Sequence, residues 1–141
     1  MGRATPPKRR ALMQRVRQSG TSAEMSVAAA CRDLGITYRL NVKTLPGSPD
    51  LANKSRRWAI FVNGCFWHAH PGCRKATVPK QNRQFWVEKF AANRARDEVK
   101  IRALRDLGYC VLIVWECEIA DVVRLRRQLS NLREPRIVDA P

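Results

Sequence analysis

The sequence predicts an α/β fold, in which a small mixed β-sheet is flanked by helices and a loop forms a structural zinc site. Short apolar or alternating segments, typical of strands, are interspersed with longer helical patterns along the 141 residues. Near the C-terminus a strand, a long helix and another strand follow one another, which implies a parallel crossover and helices on both faces of the sheet. The length suits one domain, so we predict a single domain over residues 1–141.

Two helices are predicted before the first strand. Residues 5–18 form a basic segment that opens with two prolines, residues that commonly begin a helix, and Gly20 ends it. Residues 21–24 match a capping box, a hydroxyl residue followed three positions later by glutamate. The second helix is therefore predicted to run from there to about residue 34 and to stop at Gly35.

The middle of the chain predicts the first strands. Residues 37–42 alternate in polarity, as a half-buried strand does, and residues 45–49 form a turn cluster of proline, glycine and serine. A short strand is expected at 50–52, joined by a hairpin connection at 53–55 to the strand 58–62. That last segment is almost continuously apolar, which predicts a strand covered on both faces.

The second half of the chain predicts the crossover. Residues 64–79 contain Gly, Pro, His and Cys without periodicity and are predicted as a loop. The longest helical pattern spans 82–107, and the strand 109–115 after it has the most apolar sequence, so we predict it to be the most buried. A last helix is expected near 119–132, followed by a C-terminal tail.

The charge predicts a polyanionic partner. The chain carries 27 Lys and Arg against 12 Asp and Glu, a net charge of +15 that is spread along its length. Nucleic acid is favoured over an acidic membrane, because the helical patterns lack the broad apolar face of a membrane-surface helix. A basic protein that binds ribosomal RNA is the alternative. The chain shows neither a secretory signal nor an apolar run of transmembrane length, so we expect a cytoplasmic location.

One loop has the composition of a zinc site. Cys65, His70 and Cys73 lie at the spacing C-x4-H-x2-C, and Cys117, after the last predicted strand, completes a set of three thiols and one imidazole. Four protein ligands of this kind suit tetrahedral, structural zinc. The alternative is that these cysteines are unrelated thiols, as the two other cysteines on apolar segments are interpreted to be.

A few residues are candidates for catalysis. Asp50, after the turn cluster, is a candidate Mg²⁺ ligand, although aspartate is also common in turns. Glu24 either faces the same place or only caps its helix. His68 is a candidate general base if His70 binds zinc, and the spacing alone also permits the reverse assignment.

Two adjacent aromatic residues, Phe66 and Trp67, lie in the same loop. They are interpreted either as a wedge that stacks between bases or as a small core beneath the loop.

The chain closely resembles the very short patch repair endonucleases over about residues 5–120. The most specific segment is Gly64-Cys65-Phe66-Trp67-His68, and further motifs match it in order and spacing. They are Met13…Val16…Thr21…Glu24, Leu45-Pro46-Gly47-Ser48-Pro49-Asp50, His70-Pro71-Gly72-Cys73, Pro79-Lys80, Phe85-Trp86-Val87-Glu88-Lys89 and Val114-Trp115-Glu116-Cys117.

This resemblance implies a restriction-endonuclease-like fold and a Mg²⁺-dependent nick beside the thymine of a T:G mismatch, the product of 5-methylcytosine deamination. The implied partner is double-stranded DNA with such a mismatch, together with other repair proteins. A monomer associated with the bacterial nucleoid is expected.

The resemblance also implies roles for individual residues. Asp50 would bind Mg²⁺ with help from the backbone near Val62, His68 would be the general base, Asp97 would orient it, and Glu24 would be an accessory acid. The zinc ligands would be Cys65, His70, Cys73 and Cys117. The DNA-binding residues would be Met13 and Val16 from the minor groove, Phe66, Trp67 and Trp86 from the major groove, and Lys89 and Asn93 at the mismatched pair.

The chain departs from the family at Asn63, where many members carry a second active-site histidine. An asparagine orients a phosphate or a water molecule but carries no proton, so a slower or pH-shifted reaction is expected. Two other functions stay open: an endonuclease of the same fold with another site specificity, and a zinc-stabilised DNA-binding protein without catalysis.

Overall fold

The computed structural model describes residues 22–74 and 76–133. In chain order the elements are α1 (Ser22–Asp33), β1 (Arg39–Leu40), β2 (Leu51–Asn53), β3 (Trp58–Asn63), α2 (Arg83–Asp106), β4 (Cys110–Trp115), a 3₁₀ turn (Glu116–Glu118) and α3 (Val122–Arg133). The helix predicted over 5–18, with Met13 and Val16, lies outside the described residues, and so does the tail that follows α3.

The four strands form one mixed sheet in the order β1-β2-β3-β4. β1 and β2 pair antiparallel, as do β2 and β3, whereas β3 and β4 are parallel. The register of the parallel pair runs from Trp58 opposite Cys110 to Asn63 opposite Trp115. The helix α2 connects these two strands, so the predicted crossover and the mixed sheet are confirmed.

Each face of the sheet has its own apolar core. On one face Val27 and Cys31 of α1 and Leu129 of α3 pack against alternate strand residues such as Ile60. On the other face Leu104 of α2 belongs to the core cluster that includes Ala59 and Phe61 of β3. Because β3 contributes to both clusters, all six of its residues are buried, which confirms the prediction for this strand.

The two edges of the sheet differ from the prediction. β4 was expected to be the most buried strand, but only Val114 of its six residues is fully buried. The reason is its position: β4 is an edge strand, so a continuous apolar sequence there is only half covered. The strand predicted over 37–42 is reduced at the opposite edge to Arg39–Leu40, and both residues are exposed. Among the described residues no helix is long and apolar enough to cross a membrane.

The turn before β2 requires glycine at its centre. Gly47 has a φ of +75°, and a β-carbon there would lie 2.6 Å from Cγ of Lys100 on α2. Gly35, after α1, has a φ of +71°, but a β-carbon added there would have no other atom within 4 Å. The two glycines therefore separate backbone strain from steric crowding.

We expect Gly47→Ala to lower the free energy of unfolding by about 2–4 kcal/mol, since left-handed strain and overpacking both contribute. Gly35→Ala is the matched control, with an expected loss of about 1 kcal/mol from strain alone. Urea denaturation of both variants measures the difference. Equal losses would contradict the close packing of Lys100 on this turn.

Candidate active site and metal centre

The turn of residues 45–49 places Asp50 directly before Leu51, the first residue of β2. Backbone hydrogen bonds from the N–H groups of Asn41 and Val42 to the carbonyls of Asp50 and Pro49 fix the turn, at 2.9 and 3.0 Å. The Asp50 side chain reaches across to β3, where its Oδ2 accepts a hydrogen bond from the Val62 N–H at 2.7 Å. Asp50 is thus held beside the C-terminal end of β3.

A second carboxyl group joins Asp50. Glu24, in the first turn of α1, is only 3% exposed, and its side chain is hydrogen-bonded to that of Asp50. Burial raises the pKa of Asp50 to about 7; the Val62 N–H opposes this shift, and the neighbouring Glu24 adds to it. Two carboxyl groups in such close contact favour a bound cation, because a cation stabilises both groups as carboxylates.

His68 is paired with a carboxylate of α2. Its Nδ1 lies 2.6 Å from Oδ2 of Asp97, and both side chains are largely buried. The other oxygen of Asp97 lies 3.8 Å from the ammonium of Lys100, and this ammonium also lowers the pKa of Asp50. An imidazole oriented by a carboxylate through Nδ1 leaves Nε2 available to accept a proton.

Asn63 is the last residue of β3 and is 7% exposed. It follows Val62 directly and pairs in register with Trp115 at the end of β4. The carboxyl ends of the two parallel strands therefore meet here, next to the turn that carries Asp50.

The four predicted metal ligands lie together. The ligand atoms of Cys65, His70, Cys73 and Cys117 are all within 4.8 Å of one another. Nδ1 of His70 is 3.6 Å from Sγ of Cys65 and 3.4 Å from Sγ of Cys117. Tetrahedral zinc with bonds of about 2.3 Å to sulfur and 2.0 Å to nitrogen separates its ligands by about 3.4–3.8 Å. The donor set and its spacing therefore fit zinc.

Without a metal, this cluster favours protonated thiols. Burial raises the pKa of Cys65 to about 12, and the neighbouring thiols Cys117 and Cys73 add to that shift. The pKa of Cys117 is also raised, first by burial. Thiolates crowded together repel one another, and a divalent cation removes this repulsion. The structure thus places His70 in the cluster and His68 beside Asp97, and the roles of the two histidines stay predictions.

The predicted wedge residues form an aromatic cluster above α2. The ring of Phe66 lies 5.4 to 5.6 Å from those of Trp67, Trp86 and Phe90, each in an edge-on arrangement. Phe66 and Trp67 are half-buried, and Trp86 is 5% exposed. Asn93 of α2 donates a hydrogen bond of 3.0 Å to the carbonyl of Trp67.

Of the predicted DNA-binding residues, the structure brings Phe66, Trp67, Trp86 and Asn93 together, and Lys89 lies half-buried on the same helix as Trp86 and Asn93.

Two residues next to Cys117 also contact the metal cluster, although their sequence did not predict it. The carboxylate of Glu116 accepts a hydrogen bond of 3.1 Å from the N–H of Cys65. The indole of Trp115 stacks on the ring of His70 with centroids 4.0 Å apart and planes 10° from parallel. The only signal in the sequence was their position beside a predicted ligand, in a chain where acidic residues are few.

Comparison with known proteins gives consistent matches. The family model described as "DNA mismatch endonuclease Vsr" matches residues 1–75. The type II nicking enzyme V.XorIIP of Xanthomonas oryzae pv. oryzae is 44% identical over 133 residues, which cover 94% of this chain and 97% of that enzyme. DNA mismatch endonuclease Vsr of Escherichia coli is 38% identical over 107 residues, 76% of this chain and 68% of its own length.

A third relative extends the match to another genus. The type II nicking enzyme V.NmeAIP of Neisseria meningitidis is 34% identical over 128 residues, 91% of each chain.

Proposed function

The chain belongs to the family of the DNA mismatch endonuclease Vsr and is a DNA endonuclease; from this premise we propose that it nicks one strand of duplex DNA beside the thymine of a T:G mismatch, with Mg²⁺ as the catalytic ion. The relative in Escherichia coli is named for mismatch cleavage, and the relatives in Xanthomonas and Neisseria are named as nicking enzymes. The nicking-enzyme names support a cut in one strand, and the name of the Escherichia coli relative supports a mismatch as the target.

The observation that carries the proposal is a pair of carboxyl groups and a carboxylate-oriented imidazole that are linked by one lysine, Lys100. Asp50 and Glu24 share one buried place at the end of the sheet. Asp97 holds His68 through Nδ1. Lys100 faces both sites, since it lies 3.8 Å from Asp97 and acts electrostatically on Asp50. Hydrolysis of a phosphodiester bond needs these two functions, an anionic metal site and a base for water.

In the proposed reaction each residue has a separate task. Asp50, supported by Glu24 and the backbone near Val62, would hold Mg²⁺, which supplies charge stabilisation to the phosphate oxygens when bound. His68 accepts the proton of the attacking water at Nε2, because Nδ1 is already engaged by Asp97. Asn63, at the adjoining strand end, orients water or phosphate by hydrogen bonding.

Mismatch recognition is assigned to the aromatic cluster. A wobble pair is poorly stacked, so separating it from its neighbour costs less than the few kcal/mol of a matched step. Phe66 and Trp67 lie at the surface end of the cluster and are half-buried, so they are placed to enter such a step. Asn93 holds the loop through the Trp67 carbonyl, and the proposal assigns Asn93 and Lys89 to contact with the mismatched pair.

The function is tested with a panel of duplexes of one sequence that differ only at one base pair. A T:G duplex should be nicked in the thymine strand with Mg²⁺ and left whole without it. A matched C:G duplex and other mismatches should be cut far more slowly. Equal cutting of all duplexes would favour an endonuclease with another specificity, and tight binding without any product would favour a DNA-binding protein without catalysis.

That the enzyme acts as a monomer stays a prediction. Light scattering of the complex with DNA tests it.

We expect His68→Ala to lower the single-turnover nicking rate by about 10²–10⁴-fold, the usual loss when a general base is removed. The affinity for the T:G duplex should change little, because the imidazole is held inward against Asp97. Rate and affinity are measured on the same duplex. A parallel loss of both would assign His68 to DNA binding instead.

A further inference from the structure

Trp115 lies between the two histidines of the chain. Its indole stacks on His70 at a centroid distance of 4.0 Å, and the ring of His68 lies edge-on to it at 6.3 Å and 76°. His68 and His70 are separated by one residue, Ala69, whose φ of 47° turns the chain between them. The two imidazoles therefore contact the same indole from one tight turn, although one belongs to the metal cluster and the other to the nicking site.

The residues after Trp115 hold the same loop. Glu116 accepts the N–H of Cys65, and Cys117 brings its thiol to 3.4 Å from the ring nitrogen of His70. Three consecutive residues of β4 and the 3₁₀ turn thus make a stacking contact, a hydrogen bond and a ligand contact. The loop is therefore attached to the sheet through the end of β4 and the 3₁₀ turn that follows it.

The stacking contact restricts the rotation of the His70 ring, which a bond to a metal through Nδ1 alone would leave free. A histidine bonded to zinc through Nδ1 can still rotate about that bond, and the groups outside the ligand set fix the plane of its ring. A large flat face 4.0 Å away and 10° from parallel leaves one orientation for His70. A metal that fixed His70 would fix the indole with it and would leave His68 less room to turn away from Asp97.

We propose that Trp115 is a positioning residue that couples the metal cluster to His68, so that metal binding in the loop orders the general base of the nicking site. The inference deepens the proposed function and rests on it only for the role of His68 as the base. The coupling itself is a property of the protein without DNA. It can therefore be measured apart from nicking.

The test follows both imidazoles by ¹⁵N NMR during addition of zinc alone to the metal-free protein. The chain has two histidines, so each set of ring signals is assignable. In the wild type, zinc should shift the signals of His70 and His68 together. In Trp115→Leu, zinc should shift those of His70 only, and zinc affinity should fall by about 10–100-fold, as for other groups that orient a ligand. Val111→Ala, at a half-buried position on the same strand, is the control and should behave as the wild type.

Nicking gives a second and separate measure. In the zinc-loaded Trp115→Leu variant, kcat on the T:G duplex should fall about tenfold with KM unchanged, because the base is misplaced while the DNA surface is kept. Trp115→Phe keeps an aromatic face and should recover part of kcat. A wild type that nicks no T:G duplex would refute the proposed function and leave the NMR result to decide the coupling.

Two outcomes overturn the inference. One is a His68 signal in Trp115→Leu that responds to zinc as fully as in the wild type. The other applies if circular dichroism shows that this variant does not fold: the wild type then decides, and zinc that shifts the His70 signals while leaving those of His68 unchanged would refute the coupling.

Discussion

Replacement of Asp50 by asparagine is expected to abolish nicking, with a loss of roughly 10⁴-fold or more in the single-turnover rate, as when one member of a catalytic unit is removed. Asparagine keeps the size of the side chain and an oxygen that accepts the Val62 N–H at 2.7 Å, so the turn should be preserved. It lacks the negative charge that would hold Mg²⁺. Affinity for the T:G duplex, measured in parallel, should remain close to that of the wild type.

The same variant should be more stable than the wild type in magnesium-free buffer at neutral pH and above. Burial raises the pKa of Asp50 from 3.8 to about 7, so the folded state keeps a proton that the unfolded state has already released. Wild-type stability therefore falls as pH rises from about 4 to about 7, and each pKa unit is worth about 1.4 kcal/mol. The amide introduced by Asp50→Asn does not titrate, so the variant should lack this decline.

Urea denaturation at a series of pH values measures the difference. The two proteins should have similar stability below about pH 4, where the carboxyl group is neutral in both states, and should diverge as pH rises. A wild type that gains stability relative to Asp50→Asn over this interval would mean that Asp50 is ionised and well solvated in the fold. Such a result would also contradict the inference that Asp50 and Glu24 together favour a bound cation.

The sequence predicted the sheet well where local pattern and tertiary position agree. The continuous apolar segment of β3 lies at the centre of the sheet, and both its faces are covered. β4 has the same kind of sequence but lies at an edge, so its residues are mostly half-buried. Strand order is a property of the whole chain, and no local pattern distinguishes a central strand from an edge strand.

The site was predictable where a residue's chemistry is unusual for its surroundings. Three cysteines and a histidine in or near one irregular loop predicted a cluster that the structure brings together. Spacing did not decide between His68 and His70, because that choice depends on a turn at Ala69 and on Asp97, a residue 29 positions from His68.

Trp115 and Glu116 could not be assigned from the sequence. A tryptophan at the end of an apolar strand is indistinguishable from a core residue until the loop that it contacts is placed. Their role arises from a contact between segments about 50 residues apart, since the Glu116 carboxylate reaches the N–H of Cys65.

Removal of the metal from the Cys/His cluster is expected to abolish nicking without unfolding the domain. The cluster holds residues 64–79, a segment without helix or strand among its described residues, whereas both apolar cores lie elsewhere, on the two faces of the sheet. The loop is expected to depend on the metal for its order, because thiols whose pKa is raised are held to one another only weakly without a cation. The same loop carries His68 and the proposed wedge residues Phe66 and Trp67, so the proposed site is expected to be lost with it.

The experiment separates this metal from the catalytic ion. The protein is stripped with a chelator, and Mg²⁺ alone is then returned; nicking should stay absent until zinc is added. Far-UV circular dichroism should hardly change on stripping, while cleavage by a protease within the loop should accelerate. Cys117→Ser should reproduce the stripped state, and Cys110→Ser, a half-buried cysteine outside the cluster, should not. Global unfolding on removal of the metal would show instead that the two cores depend on the loop, and full activity with Mg²⁺ alone would assign the cluster no part in ordering His68.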